Sequence, residues 1–323
     1  MKRDNVSSVG TSVGGVLVID KPTGISSYDV IRVVKKRLSP KKVGHTGTLD
    51  PLASGVLPIV MNGATRIISF LDESEKRYEG TLRLGMATDS DDSTGRVLSE
   101  KTVDGCVITD DRITMAFNGF VGRIKQVPPM FSAVKRHGKP LYELARRGIV
   151  VERRPREIEI FSLEVTHIDL PLVDFRVSCS RGTYVRTLCR QIGDALDVGA
   201  HLSRLRRVRS GPFSLHHAVT LPEFERLTEL SEIDRRIMPI REALGGMPEI
   251  EIDADLKNRI RRGFPIYRKD LEGARIPRIE REQRVKILHS GEIVAIARVQ
   301  LADRELKRSA METRALSLLR VLA

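Results

Sequence analysis

The first apolar segment of the chain predicts a buried strand followed by a helix. Val16–Ile19 is apolar without interruption, and a turn cluster rich in polar residues, Pro and Gly ends it. Ser26 is suited to cap a helix because Asp29 follows three residues later, the spacing of a capping box. Apolar residues then recur at helical spacing, at Ile31, Val34 and Leu38. The Ser39–Pro40 pair predicts the end of this helix.

Two later segments alternate apolar and polar residues, as half-buried strands do. They are Tyr78–Leu84 and Phe175–Cys179. A turn at Arg181–Gly182 follows the second, and apolar residues at helical spacing from Leu188 to Ala195 predict a helix directly after it. Because strands and helices are interspersed without a βαβ rhythm, we expect an α+β fold with a mixed, largely antiparallel sheet flanked by helices.

The end of the chain predicts a second, smaller unit. Gly245–Pro248 is the clearest boundary, because it carries Gly and Pro in a polar stretch. Beyond it, Val285–Leu288 and Ile293–Ala297 are short apolar runs typical of strands. We therefore expect a disordered tail over residues 1–13, a main domain over residues 14–247 and a small β-rich domain over residues 248–323.

The charge balance points to a polyanionic partner. Lys and Arg number 55 against 42 Asp and Glu, a formal net charge of +13. Such an excess favours nucleic acid, ahead of an anionic membrane surface. No apolar run approaches the ~20 residues of a spanning helix, which excludes a membrane protein. Three scattered cysteines, Cys106, Cys179 and Cys189, fit the reducing cytoplasm rather than a disulfide framework.

Basic residues also cluster along the chain. Lys135–Arg156 holds eight Lys and Arg, and the runs Arg204–Arg209 and Lys257–Arg262 follow. One such run is usually a solvated surface. Three runs in a chain of this net charge favour contact with phosphates.

One carboxylate stands out by its surroundings. Asp50 lies in the loop Gly44–Gly55, which is dense in Gly and Thr, and it precedes Pro51, which disfavours helical geometry at Asp50. The loop can fix a carboxylate in one direction. An Asp-Pro turn that merely connects two elements fits the same pattern, and periodicity alone leaves both interpretations open.

A second candidate is Arg186, in Arg181–Arg186. It falls in the first turn of the predicted helix. A cation there interacts unfavourably with the helix dipole and destabilises the helix by ~0.3–1 kcal/mol unless a carboxylate compensates. Local conflicts of this kind often mark functional sites. The alternative is a solvated surface arginine.

Other site classes are disfavoured by spacing. Asp89, Asp91, Ser93 and Glu100 imitate part of a calcium loop, but Thr94 stands where the tight turn needs glycine. The histidines and cysteines show no zinc spacing, and neither a phosphate-binding Gly-Lys loop nor a dinucleotide fingerprint is present. These patterns indicate neither a metal site nor a nucleotide cofactor.

The segment Gly44–Leu57 resembles the catalytic motif of the TruB family of bacterial tRNA pseudouridine synthases. Further segments resemble that family in the same order: Gly15–Gly24, Lys76–Tyr78, Thr88–Gly95, Val127–Lys135, Arg181–Leu188, Gly199–Leu202 and Leu205–Arg207. The similarity spans about Gly14 to Pro222. The C-terminal part resembles the family's RNA-binding PUA-type domain only loosely.

The resemblance implies isomerisation of uridine to pseudouridine within RNA, without a cofactor. It assigns the catalytic carboxylate to Asp50, the arginine that pairs with it to Arg186, and the tyrosine that stacks on the target base to Tyr78. Further residues match positions at the uracil pocket or next to it: Tyr184, Leu205, Lys21 and Asp92. Whether Asp50 adds covalently or acts through charge and proton transfer stays open.

The resemblance also implies how RNA is held. The target base must be flipped out of its stack, and His45 matches the residue that wedges into the vacated space. Residues 126–151 match a basic insertion that closes over RNA. Its expected backbone contacts are Lys135, Arg136, Arg146 and Arg147, with Arg153 and Arg154 just beyond. The implied target is the T-loop and stem of tRNA, at conventional position 55, and we expect a monomer with no obligatory protein partner.

Two alternatives stay open at this point. One is a guide-RNA-dependent relative of dyskerin, which shares the same core but for which the basic insertion is not typical. The other is a non-catalytic RNA-folding protein, in which Asp50 is dispensable.

Overall fold

The computed structural model describes residues 14–72, 75–104, 108–132, 134–136 and 138–322. The predicted tail and Cys106 lie outside these residues. The strands before residue 240 are β1 (Gly15–Lys21), β2 (Val43–His45), β3 (Ser54–Met61), β4 (Lys76–Leu84), β5 (Met86–Thr88), β6 (Val97–Glu100), β7 (Gly122–Gln126), β8 (Lys135–Arg136), β9 (Lys139–Pro140), β10 (Arg156–Asp169), β11 (Leu172–Cys179), β12 (Ala200–Ser210), β13 (Phe213–Ser214), β14 (Val219–Thr220) and β15 (Ile237–Pro239).

Helices and a second group of strands complete the described elements. The α-helices are α1 (Ser27–Leu38), α2 (Ile68–Asp72), α3 (Asp110–Asn118), α4 (Leu141–Arg146), α5 (Val185–Ala195), α6 (Leu221–Glu229), α7 (Ile240–Ala243), α8 (Ala254–Arg261) and α9 (Asp303–Leu306). Short 3-10 helices cover Asn62–Ile67, Leu215–His217, Ile233–Arg236 and Arg268–Leu271. The later strands are β16 (Glu249–Glu251), β17 (Ile266–Tyr267), β18 (Arg284–His289), β19 (Glu292–Val299) and β20 (Arg314–Val321).

Eleven of the described strands form one sheet. Its main order is β14-β1-β3-β12-β4-β11-β10-β7; in addition, β2 pairs with β3, β13 with β12 and β15 with β1. The pairs β1–β14 and β3–β12 are parallel, and the other pairs in this sheet are antiparallel. The predicted α+β class with a mixed, largely antiparallel sheet is confirmed.

The first predicted strand and helix are also confirmed. Ser26 caps α1, its hydroxyl accepts a hydrogen bond from the Asp29 backbone N–H, and Asp29 accepts one from the Ser26 backbone N–H. Ser39 ends the helix in the left-handed conformation. Two of the predicted apolar positions, Val34 and Leu38, are fully buried in the main core.

The uninterrupted apolar run in β1 has a structural reason: the strand is covered on both faces. Leu17 and Ile19 belong to the main core, which helices α1, α3, α5 and α6 help to build. Val16 and Val18 belong to a second cluster on the opposite face. Alternation therefore disappears here, as expected for a strand buried on both sides.

The second cluster joins the main sheet to the C-terminal sheet. That sheet has the order β16-β18-β19-β20-β17, and the predicted apolar runs Val285–Leu288 and Ile293–Ala297 lie in β18 and β19. Ile296 of β19 is fully buried in the cluster that contains Val16 and Val18. At its edge, Glu249 forms ion pairs with Arg241 at 2.6 Å and with Lys286 at 2.8 Å. The C-terminal sheet therefore shares apolar core with the main sheet.

Among the described residues, no helix combines the length and the apolar character that crossing a membrane requires.

Ile296→Ala tests the shared core. We expect it to lower the free energy of unfolding by about 2–5 kcal/mol, because it deletes a fully buried side chain at the junction of the two sheets. Leu230→Ala is the control, since Leu230 is largely exposed and its truncation should change stability by about 0.5 kcal/mol or less. Urea unfolding measures both; equal stability of the two variants would show that the junction contributes little.

Candidate active site

The loop between β2 and β3, residues 46–53, carries Asp50 and is fixed at several points; we call it the Asp50 loop. The Ser27 hydroxyl donates to the Leu49 carbonyl at 3.0 Å and accepts from the Leu49 N–H at 2.8 Å. The Gly24 N–H donates to the Pro51 carbonyl at 2.8 Å. Within the loop, the Ala53 N–H donates to the Asp50 carbonyl at 3.0 Å. The backbone on both sides of Asp50 is therefore held by the segment that starts α1.

A second constraint comes from the neighbouring strand β12. Gly55 has φ +102°, and a Cβ at this position would lie 2.2 Å from the Arg207 carbonyl oxygen. Gly55 is paired with Arg207 in the parallel β3–β12 ladder. Only glycine fits both this backbone conformation and the close approach of the Arg207 backbone. The chain therefore needs glycine at position 55 for β3 to pair with β12 directly after the Asp50 loop.

Asp50 is paired with Arg186. The Arg186 Nε lies 3.3 Å from Asp50 Oδ2, and the arginine side chain is 5% exposed while the aspartate side chain is 41% exposed. The Nε–H has no well-aligned hydrogen bond with any described residue, so the contact is an ion pair. Arg186 lies in the first turn of α5, as predicted. Its conflict with the helix dipole is therefore offset by a carboxylate.

The remaining nitrogens of Arg186 are held by backbone and by a second carboxylate. Nη2 donates to the Phe131 carbonyl and Nη1 to the Ser90 carbonyl. Asp92 Oδ2 lies 3.8 Å from Nη1. A planar guanidinium that is fixed on several sides can hold the Asp50 carboxylate in one orientation.

Burial raises the pKa of the Asp50 carboxyl above its ordinary value. Arg186 opposes this shift, Asp92 adds to it and Lys21 opposes it. The two cations therefore stabilise the ionised form that a reacting carboxylate needs.

The Asp92 carboxylate is held by hydroxyl groups of its own turn. Its Oδ1 accepts hydrogen bonds from the Ser90 hydroxyl at 2.7 Å and the Thr94 hydroxyl at 2.6 Å. The neighbouring Asp91 is paired with Arg190 at 3.2 Å. The described residues contain no group of three or more His, Cys, Asp or Glu side chains arranged to hold a metal ion. Asp92 thus supports Arg186 from within the turn.

The expectation that Lys21 contacts substrate is not supported by its position. Its side chain is fully buried, and Nζ donates to the carbonyls of Pro22 at 2.8 Å and Ile25 at 2.7 Å. Burial lowers the pKa of this ammonium to about 8, and Asp50 opposes the shift. The Lys21 side chain is kept from solvent because β1, the apolar strand that carries it, is covered on both faces. Lys21 therefore acts on Asp50 through its charge.

Tyr78 lies on β4, where it is paired with Arg207 of β12. The ring is nearly buried in the main core. Burial raises the pKa of its hydroxyl to about 12, with the nearby Arg207 charge opposing the shift. The phenol is therefore neutral at physiological pH.

Tyr184 and Leu205 flank this region from two elements. Tyr184 is the N-cap residue of α5, with its ring 5.9 Å from the Arg186 guanidinium carbon. The buried Gln126 side chain accepts from the Tyr184 N–H at 2.8 Å and donates to the Tyr184 carbonyl at 3.1 Å. Leu205 is a buried residue of β12. His45 ends β2 at the start of the Asp50 loop and is half-buried.

The basic insertion, residues 126–151, begins at Gln126 and contains β8, β9 and α4. Lys135 and Arg136 form β8, and Arg146 ends α4. Arg147 is exposed, as is Arg154 just beyond the insertion. Arg153 differs from the expectation of an open phosphate contact, because its Nη1 donates to the Pro128 carbonyl at 3.2 Å and ties the two ends of this segment together.

Comparison with known proteins identifies the family. Residues 35–185 match the model described as TruB family pseudouridylate synthase (N terminal domain), and residues 186–245 match the tRNA pseudouridylate synthase B C-terminal domain. A tRNA pseudouridine synthase B of Geobacter sulfurreducens is 47% identical over 88% of this chain and 92% of its own length. One of Clostridium tetani is 42% identical over 80% of this chain and 88% of its own.

The chain belongs to the TruB family.

Solved structures extend the likeness to 96% of this TruB-family chain. The crystal structure of a Cbf5-Nop10-Gar1 complex contains a chain with TM-score 0.73 and 30% identity, covering 96% of this chain and 85% of that one. An H/ACA RNP bound to a substrate RNA containing 2'-deoxyuridine gives TM-score 0.72 at 27% identity, with 96% and 85% covered. The likeness includes the C-terminal sheet, in agreement with the predicted PUA-type domain.

Sequence reasoning missed three residues that hold this TruB-family site. Ser27 and Gln126 act through hydrogen bonds to the backbone of Leu49 and Tyr184, and no local pattern marks them. The prediction that the run Arg204–Arg209 contacts phosphates is wrong for Arg207: its side chain is fully buried and donates to the carbonyls of Val56 and Gly47. The available signal was its position two residues after Leu205, on the core-facing side of a strand.

Gly55→Ala tests the close approach of β12. We expect loss of pseudouridine formation and a lower unfolding free energy, because the added Cβ would push Arg207 and the Asp50 loop apart. Gly24→Ala is the matched control: Gly24 also has positive φ, at +86°, but nothing lies within 4 Å of its Cβ position. It should lose only about 1 kcal/mol, from the backbone conformation alone. Urea unfolding and a turnover assay compare the two; similar losses in both would refute the steric explanation.

Proposed function

We propose that this protein isomerises uridine to pseudouridine in the T-loop of tRNA, at conventional position 55, with Asp50 as the catalytic carboxylate. The observation that carries the proposal is the Asp50–Arg186 pair: a buried guanidinium holds a carboxylate that remains open on its other side. Such a carboxylate can meet a nucleotide without losing its counter-ion. Membership of a pseudouridylate synthase family supplies the reaction class.

The reaction is an internal rearrangement. The bond between the ribose C1′ and uracil N1 breaks, the base turns, and a bond between C1′ and C5 forms. C5 then loses its proton and N1 gains one, so atoms and electrons balance without an oxidant, a reductant or a bound cofactor. This chemistry needs the ionised carboxylate of Asp50, and the cations Arg186 and Lys21 favour that form by opposing the rise that burial causes in its pKa.

Tyr78 is our candidate for handling the C5 proton. It lies on the same face of the sheet as the main core and shares the neighbourhood of Arg207 and Asp50. A neutral phenol can hydrogen-bond to the base and can accept the C5 proton only if its own hydroxyl proton passes on in the same step, and the acceptor that completes the balance is N1. Tyr184 and Leu205 are proposed as walls that keep the turning uracil in place.

RNA binding has a separate basis. We assign the wedge that fills the vacated stack to His45, beside the Asp50 loop, and backbone contact to the exposed Arg147 and Arg154. The guanidinium of Arg186 also donates to the Phe131 carbonyl of the basic insertion. The insertion thus contacts the residue that holds Asp50, which supports a role in closing the site over RNA.

A stand-alone tRNA enzyme is favoured over the guide-dependent alternative. The curated relatives at 42–47% identity carry the name tRNA pseudouridine synthase B. The matching chain of the Cbf5-Nop10-Gar1 complex is 30% identical. We therefore propose that the purified chain acts on bare tRNA without a guide or a protein partner.

Asp50→Asn tests the proposed chemistry on an unmodified tRNA transcript. We expect wild-type protein to form pseudouridine without added RNA or protein, and the Asn variant to form none. Binding of tRNA should stay within about tenfold, or 1.4 kcal/mol, because the carboxylate serves the reaction more than affinity. Pseudouridine mapping and filter binding give the two readouts.

Each alternative predicts a different result. A guide-dependent enzyme would leave the bare transcript unmodified by wild-type protein. An RNA-folding protein would change tRNA structure equally well in its wild-type form and as the Asn variant. Turnover by the Asn variant above about a ten-thousandth of wild type would remove Asp50 as the essential group.

Tyr78→Phe separates stacking from proton transfer. The ring face, worth about 1–3 kcal/mol against a base, is kept and only the hydroxyl is lost. We expect kcat to fall by 10²–10⁴-fold with KM little changed, as for loss of a general acid–base group. Tyr78→Leu, the control, should also weaken binding. The assay is single-turnover release of tritium from C5-labelled tRNA; release by the Phe variant at the wild-type rate would restrict Tyr78 to stacking.

A further inference from the structure

Arg207 joins the two ends of the Asp50 loop. Its Nε donates to the Val56 carbonyl at 2.7 Å, and its Nη2 donates to the Gly47 carbonyl at 3.1 Å. One acceptor precedes Asp50 by three residues and the other follows it by six. A single rigid side chain therefore sets the distance between the points where the loop leaves β2 and enters β3.

This arrangement is energetically demanding. The Arg207 side chain is fully buried, and its hydrogen-bond partners, the carbonyls of Val56 and Gly47 and the hydroxyl of Tyr78, are all neutral groups. A buried charge whose partners are all neutral has lost its hydration without gaining a counter-ion, which is a large penalty. The fully buried ammonium of Lys21 is close enough for the two cations to repel each other. A conflict of this size in a core points to a role in the site.

The backbone of Arg207 supports the same function. Within β12, Arg207 is paired with Gly55 on one side and with Tyr78 on the other. Its carbonyl fills the space that a Cβ on Gly55 would need. Arg207 thus lies between the strand that ends the Asp50 loop and the strand that carries Tyr78, and its position controls their separation.

We propose that Arg207 is a positioning residue that anchors both ends of the Asp50 loop to β12 and so fixes the Asp50 carboxylate relative to Arg186 and Tyr78, without contacting RNA. The effect of Arg207 on turnover rests on the proposed function. Its anchoring of the Asp50 loop does not rest on that function, because the contacts lie within the protein.

Arg207→Lys is the most informative variant. Lysine keeps the charge, but its point-like ammonium on a flexible stem cannot reproduce the planar two-sided contact of a guanidinium. Arg207→Met removes both hydrogen bonds and the charge. Arg235→Lys is the matched control, since Arg235 is exposed and lies outside the basic runs. For each we would measure the single-turnover rate, the tRNA Kd over a range of salt, and hydrogen exchange by mass spectrometry.

We expect the Lys variant to lose roughly thirtyfold in single-turnover rate, within the range that a 1 Å misplacement can cause. Its tRNA Kd should stay within about threefold, and the slope of log K against log salt should not change, since no phosphate contact is removed. Exchange should quicken in residues 46–53 and stay unchanged elsewhere. The Met variant should show the same pattern more strongly, and the Arg235 variant should match wild type throughout.

Three results would overturn the proposal. Weaker tRNA binding with a shallower salt slope and a normal rate would make Arg207 a phosphate contact. Wild-type values in both variants would leave it without a role. Faster exchange throughout the chain, or failure of both variants to fold, would make it a general core residue. If wild-type protein modifies no tRNA, the proposed function fails, but exchange in residues 46–53 still decides the anchoring.

Discussion

The structure depends on keeping one carboxylate both ionised and accessible. Removal from water favours the neutral form of Asp50, while its proposed chemistry needs the anion and an opening toward substrate. The protein resolves this with cations on the buried side: Arg186 in direct contact and Lys21 beneath the loop. Asp92 in turn pairs with Arg186. Charged side chains therefore follow one another from the buried Asp92 through Arg186 to the partly exposed Asp50. Most of the surrounding architecture serves to hold these groups at fixed separations.

Elements distant in sequence supply that rigidity. The start of α1 holds Leu49 through Ser27, and β12 holds the flanks of the loop through Arg207. Gln126, at the base of the basic insertion, holds the backbone of Tyr184 at the start of α5. Each contact joins a side chain to backbone polar groups that would otherwise be buried without a partner. The site is therefore built mainly by fixing loops, and only a few side chains are left for the proposed contact with RNA.

Local patterns predicted the parts of the molecule that local forces determine. The capping box at Ser26, the ends of α1 and the two-residue alternation in β4 and β11 all follow from neighbours a few positions away. The conflict of Arg186 with the helix dipole correctly marked a residue with a carboxylate partner, although the partner came only from the family motif. Lys21 and Arg207 could not be placed, because charge in a sequence normally indicates exposure. Their burial depends on strands that pair across the whole main sheet.

The parallel pairing of β3 with β12 also decides when an active site can exist. Ser54 and Arg206 meet across 152 positions of chain. Contacts of such long range form late, after the entropy of closing the intervening loop has been overcome. On the ribosome, the motif Gly44–Leu57 emerges early, but β12 follows only when most of the main sheet has been synthesised. A growing chain therefore carries all the residues of the motif for many seconds, at ~5–20 residues per second, before it can become an enzyme.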